Sequence, residues 1–159
     1  MQIILIRHGQ AESQKTTDAA RQLTAIGEWQ AQQTAAWLLN HGYQLDGLFA
    51  SPYVRAQQTA YHIGQALDMH MSTTDLITPD SDPTQAIAWL DSLELPETAS
   101  IALVCHMPIV GRLASYFLAG TTRHDLPFYL AEAKVIELPV LAAGLGKTVT
   151  QFVPPEHPI

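Results

Sequence analysis

The run Ile3-Ile4-Leu5-Ile6 constrains this chain more than any other segment. It is unbroken, mostly β-branched and short. It lacks the polar alternation of a half-exposed strand and the length of a membrane span. It therefore reads as a strand covered on both faces, as in a parallel sheet between layers of helix. Arg7-His8-Gly9 follows at once. Open α/β sheets take their ligands at the carboxyl ends of strands. There a guanidinium offers a planar fork to phosphate, and an imidazole can act as nucleophile or proton carrier. A glycine lets a ligand approach the backbone.

A second strand ends in the same way. Ser100–Cys105 is another buried run, and His106 follows it. Met107 and Pro108 lead into a helix whose apolar positions are Val110, Leu113, Ala114 and Phe117, with Pro108 suited to the first helical position. A lone histidine at a strand end is most often a structural hydrogen-bonding group. Two core strands each ending in one point instead to a site, provided the strands run parallel. A third element, Leu48-Phe49-Ala50, leads into Ser51-Pro52-Tyr53-Val54-Arg55-Ala56-Gln57-Gln58-Thr59. Ser51 suits an N-cap and Pro52 the first helical position. Arg55 then lies in the first turn and Thr59 one turn on, on the same face. A helix N-terminus carrying an arginine is prepared for an anion.

The remaining elements alternate. Strand Gln2–Ile6 is followed by a loop to about Leu23 and a helix over Ala25–Asn40, stopped by His41-Gly42. Ile26, Trp29, Ala36 and Trp37 are its apolar positions. Strand Leu48–Ala50, helix Pro52–Leu67, a short strand within Ser72–Leu76 and a helix over Thr84–Leu93 come next. After strand Ser100–Cys105 and helix Pro108–Leu118, Ala133–Leu138 and Thr148–Val153 form an antiparallel hairpin at one sheet edge, turning at Gly144-Leu145-Gly146. The Pro-rich tail Phe152–Ile159 is expected to be extended. The implied fold is a three-layer α/β/α sandwich with a mostly parallel central sheet, in one domain over residues 1–159.

Composition narrows the chemistry. The formal net charge is −7, so the basic footprint of a nucleic-acid binder is missing. Lysine and arginine total only 8, which makes Arg7, Arg21, Arg55 and Arg112 a large share of the cations. Cys105 is the sole cysteine, so no intrachain disulfide can form and a reducing compartment is expected. No apolar run is long enough for a signal peptide or a membrane span, so a soluble cytoplasmic protein with no membrane partner is expected.

Two imidazoles, at least two guanidiniums and helix N-termini suit a tetrahedral oxyanion, and phosphoryl transfer needs mainly positioning and charge stabilisation. One histidine would attack phosphorus and carry it; the other, with the arginines, would neutralise the oxygens until water releases phosphate. No metal-ligand spacing, Walker loop or dinucleotide fingerprint is present, so no metal or cofactor is expected. Cys105 is a rival nucleophile. Cysteine phosphatases, however, place an arginine six positions after the cysteine, and here that residue is Gly111, one short of Arg112. A thiol inside an apolar strand is inert by default.

Arg7-His8-Gly9, Ser51-Pro52-x-x-Arg55-Ala56-x-x-Thr59 and His106 together resemble the histidine phosphatase superfamily, with its phosphoglycerate-mutase-like fold. Arg21-x-Leu23-Thr24-x-x-Gly27 resembles the family's leader to its first helix. The short length and Ile77-Thr78-Pro79 look like the SixA-type phosphohistidine phosphatases. The resemblance implies His8 as nucleophile, and Arg7, Arg55 and His106 as catalytic groups and phosphate pocket. Arg21 borders that pocket, and Gly9 is its backbone approach. It implies a phosphorylated histidine-containing phosphotransfer protein, or a similar phosphocarrier, as partner. One departure matters: Pro79 stands where many members carry an acidic proton donor. Asp75, Asp80 and Asp82 are nearby, and read more simply as loop and cap acids. A sugar alkoxide is a poor leaving group and needs a proton from an acid; the imidazole of a phosphohistidine, with a side-chain pKa near ~6.5, is a far better one. The expectation is therefore a phosphohistidine phosphatase. A small-molecule phosphomonoesterase, a non-catalytic phosphohistidine-binding module and, less favoured, a mutase are the alternatives.

Overall fold

The computed structural model describes residues 1–14 and 16–158; Ile159, the end of the expected tail, lies outside them. Among the described residues the elements run β1 Gln2–Arg7, α1 Ala25–Asn40, β2 Gly47–Ala50, α2 Val54–Leu67, β3 Met71–Thr73, α3 Pro83–Ser92, β4 Ser100–Cys105, α4 Ile109–Ala119, β5 Ala133–Glu137 and β6 Lys147–Phe152. Short 3-10 helices sit at Asp18–Ala20 and Asp75–Ile77. No helix among these residues is long and apolar enough to cross a membrane.

The strands form one sheet in the order β3-β2-β4-β1-β5-β6. The first four are mutually parallel, and β2, β3 and β4 are each reached through a helix, as parallel neighbours require. β5 runs against β1 and β6 against β5, so the expected hairpin closes one edge and makes the sheet mixed. Alternation along β1 divides the core. Ile3 and Leu5 pack with Ile101, Leu103, Leu90, Val110 and Phe117 beneath α3 and α4. Ile4 and Ile6 pack with Ala102, Val104, Leu38, Ala60 and Ile63 beneath α1 and α2. The three-layer sandwich follows, and the predicted α4 face Val110, Leu113, Ala114 and Phe117 is fully buried.

Four local expectations are corrected. In α1 the buried face is Gly27, Gln30, Ala31, Thr34, Ala35 and Leu38, not the face of Ile26, Trp29, Ala36 and Trp37. Small residues let α1 approach its neighbours, and its two buried polar residues satisfy loop backbone. Gln30 Oε1 accepts from Gln10 N at 2.8 Å, and Thr34 Oγ1 donates to Ala131 O at 2.6 Å. The second helix begins at Val54 with Tyr53 as N-cap, rather than at Pro52 after a Ser51 cap. Proline holds the residue before it extended, and Ser51 Oγ accepts from Tyr53 N at 3.2 Å, ahead of the first helical residue. Pro108 is the N-cap of α4, one residue before the first helical position. Lastly, Ser72–Leu76 splits into β3 and a 3-10 turn at Asp75.

Candidate active site

The parallel pairing of β1 with β4 sets Arg7 opposite Cys105, so the next residue of each strand leaves the same sheet edge. His8 N donates to Cys105 O at 3.0 Å and carries the ladder one step further. The two imidazoles meet with ring centroids 5.1 Å apart and planes inclined by 56°. The loop after the adjacent strand β2 delivers Ser51, Tyr53 and the first turn of α2 to the same edge.

His8 is 7% exposed. Its Nδ1 lies 2.7 Å from Gly9 O. A carbonyl only accepts, so Nδ1 carries the proton and Nε2 keeps its lone pair. Arg55 Nε donates to that Nε2 at 3.3 Å. Burial, followed by the charges of Arg55, Arg7 and Arg21, pushes the His8 pKa down to about 3 against the opposing Gly9 carbonyl. The ring is therefore neutral across the physiological range.

His106 pairs through Nε2 with Ser51 Oγ at 2.8 Å, and Tyr53 packs edge-on against its ring. Burial first, then His8 and Arg55, push its pKa down to about 2. Its Nδ1 is buried and finds no partner among the described residues; the same holds for Arg7 Nε. Arg7 is half-buried, anchored by Nη1 donating to Phe128 O at 2.8 Å. Burial and the neighbouring Arg55 lower its pKa, yet a guanidinium stays charged.

Arg55 is 4% exposed and stacks over Tyr53, 5.2 Å from the ring centre. Its Nη1 donates to the main-chain oxygen of Asp18 at 2.7 Å, and its Nη2 to Asp18 Oδ2 at 3.1 Å. Arg21 Nη1 donates to Asp18 Oδ1 at 2.9 Å, and Arg21 Nε to Glu12 O at 2.7 Å. Asp18 thus bridges two of the predicted arginines, and they hold its carboxyl below the ordinary range, Arg21 most strongly. Sequence reasoning passed over Asp18. The one available signal was its three-residue spacing to Arg21; nothing local ties it to an arginine on α2.

Gly9 shapes the loop. Its N–H donates to Thr59 Oγ1 at 3.1 Å, and that hydroxyl donates to Arg55 O at 2.9 Å. A Cβ at Gly9 would stand 2.6 Å from Gly27 O, so the missing side chain makes room for α1. The other side chains weighed above take no part in the cluster. Arg112 pairs with Asp125 at the surface. Cys105 is fully buried, and burial pushes its thiol up to about 12. Asp82 caps α3 through Thr84, while Asp75 and Asp80 are exposed. Among the described residues, none of these three carboxylates bonds to a residue of the cluster.

A cavity of about 420 Å³ opens beside Arg7, walled by Gln10, Phe128, Tyr129 and the returning tail at Pro154. The tail is pinned there by Gln30 Nε2 donating to Glu156 O at 3.2 Å. A larger cavity of about 630 Å³ lies at the opposite end of the strands, among Gln2, Ser100 and Glu137, and has neither histidine.

The sequence profile of the histidine phosphatase superfamily (branch 1) matches residues 3–78, a span that holds Arg7, His8, Arg21 and Arg55. A phosphohistidine phosphatase SixA homolog of Haemophilus influenzae is 34% identical over 140 residues, covering 82% of this chain and 84% of that protein. Phosphohistidine phosphatase SixA of Escherichia coli is 32% identical, with 77% of each chain covered. A solved structure of the protein histidine phosphatase SixA complexed with tungstate superposes with a TM-score of 0.85 at 26% identity, covering 97% of both chains.

Proposed function

The chain belongs to the histidine phosphatase superfamily, branch 1, and from that premise we propose that it hydrolyses phosphohistidine on a partner protein through a covalent intermediate on His8. The observation that carries the reading is the state of His8. Its ring is neutral, its lone pair is on Nε2, and Nδ1–H is anchored to Gly9 O beside three guanidiniums. In the first step the Nε2 lone pair forms a bond to phosphorus as the bond to the substrate imidazole breaks. A substrate ring protonated on its far nitrogen leaves neutral, taking the electron pair of the broken bond. The phosphorylated His8 is then cationic, and its Nδ1–H on Gly9 O supports that charge. Water attacks phosphorus, the Nε2–P bond breaks back to the ring, and the water's proton leaves with phosphate.

Arg7 and Arg55 neutralise the phosphoryl oxygens at a largely buried cluster, where fixed donors act most strongly. With the Ser51 hydroxyl donating to His106 Nε2, His106 Nδ1 carries the proton and becomes a further donor to those oxygens. The lack of a cluster contact from Asp75, Asp80 or Asp82 supports a substrate whose leaving group needs no strong acid. We read residues 1–159 as a single such domain. The partner would be a histidine-containing phosphotransfer protein or similar phosphocarrier, and the single buried thiol fits a reducing cytoplasm.

Phosphate release from a phosphohistidine protein, compared with a panel of phosphoesters without added metal, tests the substrate class. Faster turnover of sugar phosphates would assign a small-molecule phosphatase instead. Rapid quench should trap acid-labile, base-stable label on the wild type and none on His8→Ala. Near-normal turnover by His8→Ala would overturn the mechanism.

A further inference from the structure

We infer that Asp18 is a specificity-determining residue: its carboxylate is a resident anion on the Arg55 fork, and a phosphoryl group must exchange with it. The inference rests on the cluster being a phosphoryl pocket. Arg55 Nε and Nη2 are the two parallel donors with which a guanidinium grips an oxyanion side-on. Nε points at His8 Nε2 and Nη2 is held by Asp18 Oδ2 at 3.1 Å. Phosphorus attacked by His8 Nε2 brings its oxygens onto the same fork, where the carboxylate oxygen now sits. Two anions sharing those donors repel each other.

The exchange is feasible because Asp18 is 42% exposed on its side chain, so a displaced carboxylate turns toward water. Its main-chain oxygen keeps Arg55 Nη1, and its Oδ1 keeps Arg21, so the loop stays attached while one contact is surrendered. A free phosphate or small monoester has only its own charge with which to displace a tethered competitor. A phosphoryl group presented by a protein brings contacts outside the pocket as well. The tether therefore disfavours small phosphorylated molecules and speeds loss of the product phosphate.

The test titrates inorganic phosphate, at constant ionic strength, into wild type, Asp18→Asn, Asp18→Ala and Arg55→Ala. Asp18→Asn keeps the shape and the backbone contact but not the charge; Asp18→Ala also removes the side-chain oxygens. Both should bind phosphate about tenfold more tightly, the scale of one charge-assisted hydrogen bond contested for the same donors. Their kcat/KM on a small aryl phosphate should rise relative to that on a phosphohistidine protein. Equal or weaker phosphate binding by both variants, with binding still lost in Arg55→Ala, overturns the inference and makes Asp18 a support for Arg55. Phosphate binding that survives Arg55→Ala removes the phosphoryl-pocket reading itself.

Discussion

At His8 the two ring nitrogens have different tasks: one is locked to a carbonyl and the other faces a guanidinium. Because burial and three arginines keep the ring neutral to about pH 3, the pH profile should lack an acid limb near ~6.5 from the nucleophile. An enzyme-derived inflection there, present in kcat/KM and shifted by Arg55→Lys, would contradict this. Arg55 and Arg112 make a second contrast. Arg55→Ala should lower the rate by roughly 10²–10³, the scale of a lost oxyanion donor. Arg112→Ala removes only a surface pair with Asp125 and should leave the rate nearly unchanged. Asp75→Asn, Asp80→Asn and Asp82→Asn should each keep phosphohistidine turnover close to wild type. A large loss in one of them would identify a proton donor.

The first loop is held between two helices. Thr59 on α2 takes the Gly9 N–H, and Gly27 on α1 fills the space that a Gly9 side chain would need. A Cβ on Gly27 would lie 2.0 Å from Gln10 O, a backbone atom that cannot rotate aside. Gly27→Ala should therefore push the loop off α1, destabilise the protein and lower kcat through a misplaced His8. Thr59→Val keeps the volume but leaves a buried N–H unpaired, at a cost of roughly 1–3 kcal/mol. Chemical denaturation and kcat measured on the same preparations check both. A kcat unchanged in Gly27→Ala would show that the loop positions His8 without α1.

Over the whole molecule, two histidines are buried in neutral form just past the carboxyl ends of the neighbouring strands β1 and β4. The unfolded chain protonates them near pH ~6.5, whereas the folded chain resists to about 3 for His8 and about 2 for His106. Between those limits the unfolded state binds more protons, so stability falls as pH falls. The contribution is fully present above ~6.5 and declines by up to about 1.4 kcal/mol per pH unit for each histidine below it. Urea unfolding at pH 7.5 and 5.0 should show this loss, and His8→Asn should make it shallower. Equal slopes would mean that His8 titrates normally in the fold.

Local sequence determined the parts of this protein that depend on local physics. Unbroken apolar runs mark β1 and β4 because doubly covered strands need no alternation, and His8 and His106 follow them directly. Arg55 was legible because a strand, a turn and a proline set a helix start behind it, even though the helix begins two residues later than read. Tertiary structure decided what depends on approach between distant segments. It turned α1's Gln30 and Thr34 inward, since their partners are backbone groups of Gln10 and Ala131. It set Ser51 Oγ between Tyr53 N and the His106 ring, and gave the space at Gly9 to Gly27. It also set Asp18 between Arg21 and Arg55, a contact across 37 positions of chain. A residue's spacing reports its neighbours on its own element; its charge partner across the fold is set only when the sheet brings the loops together.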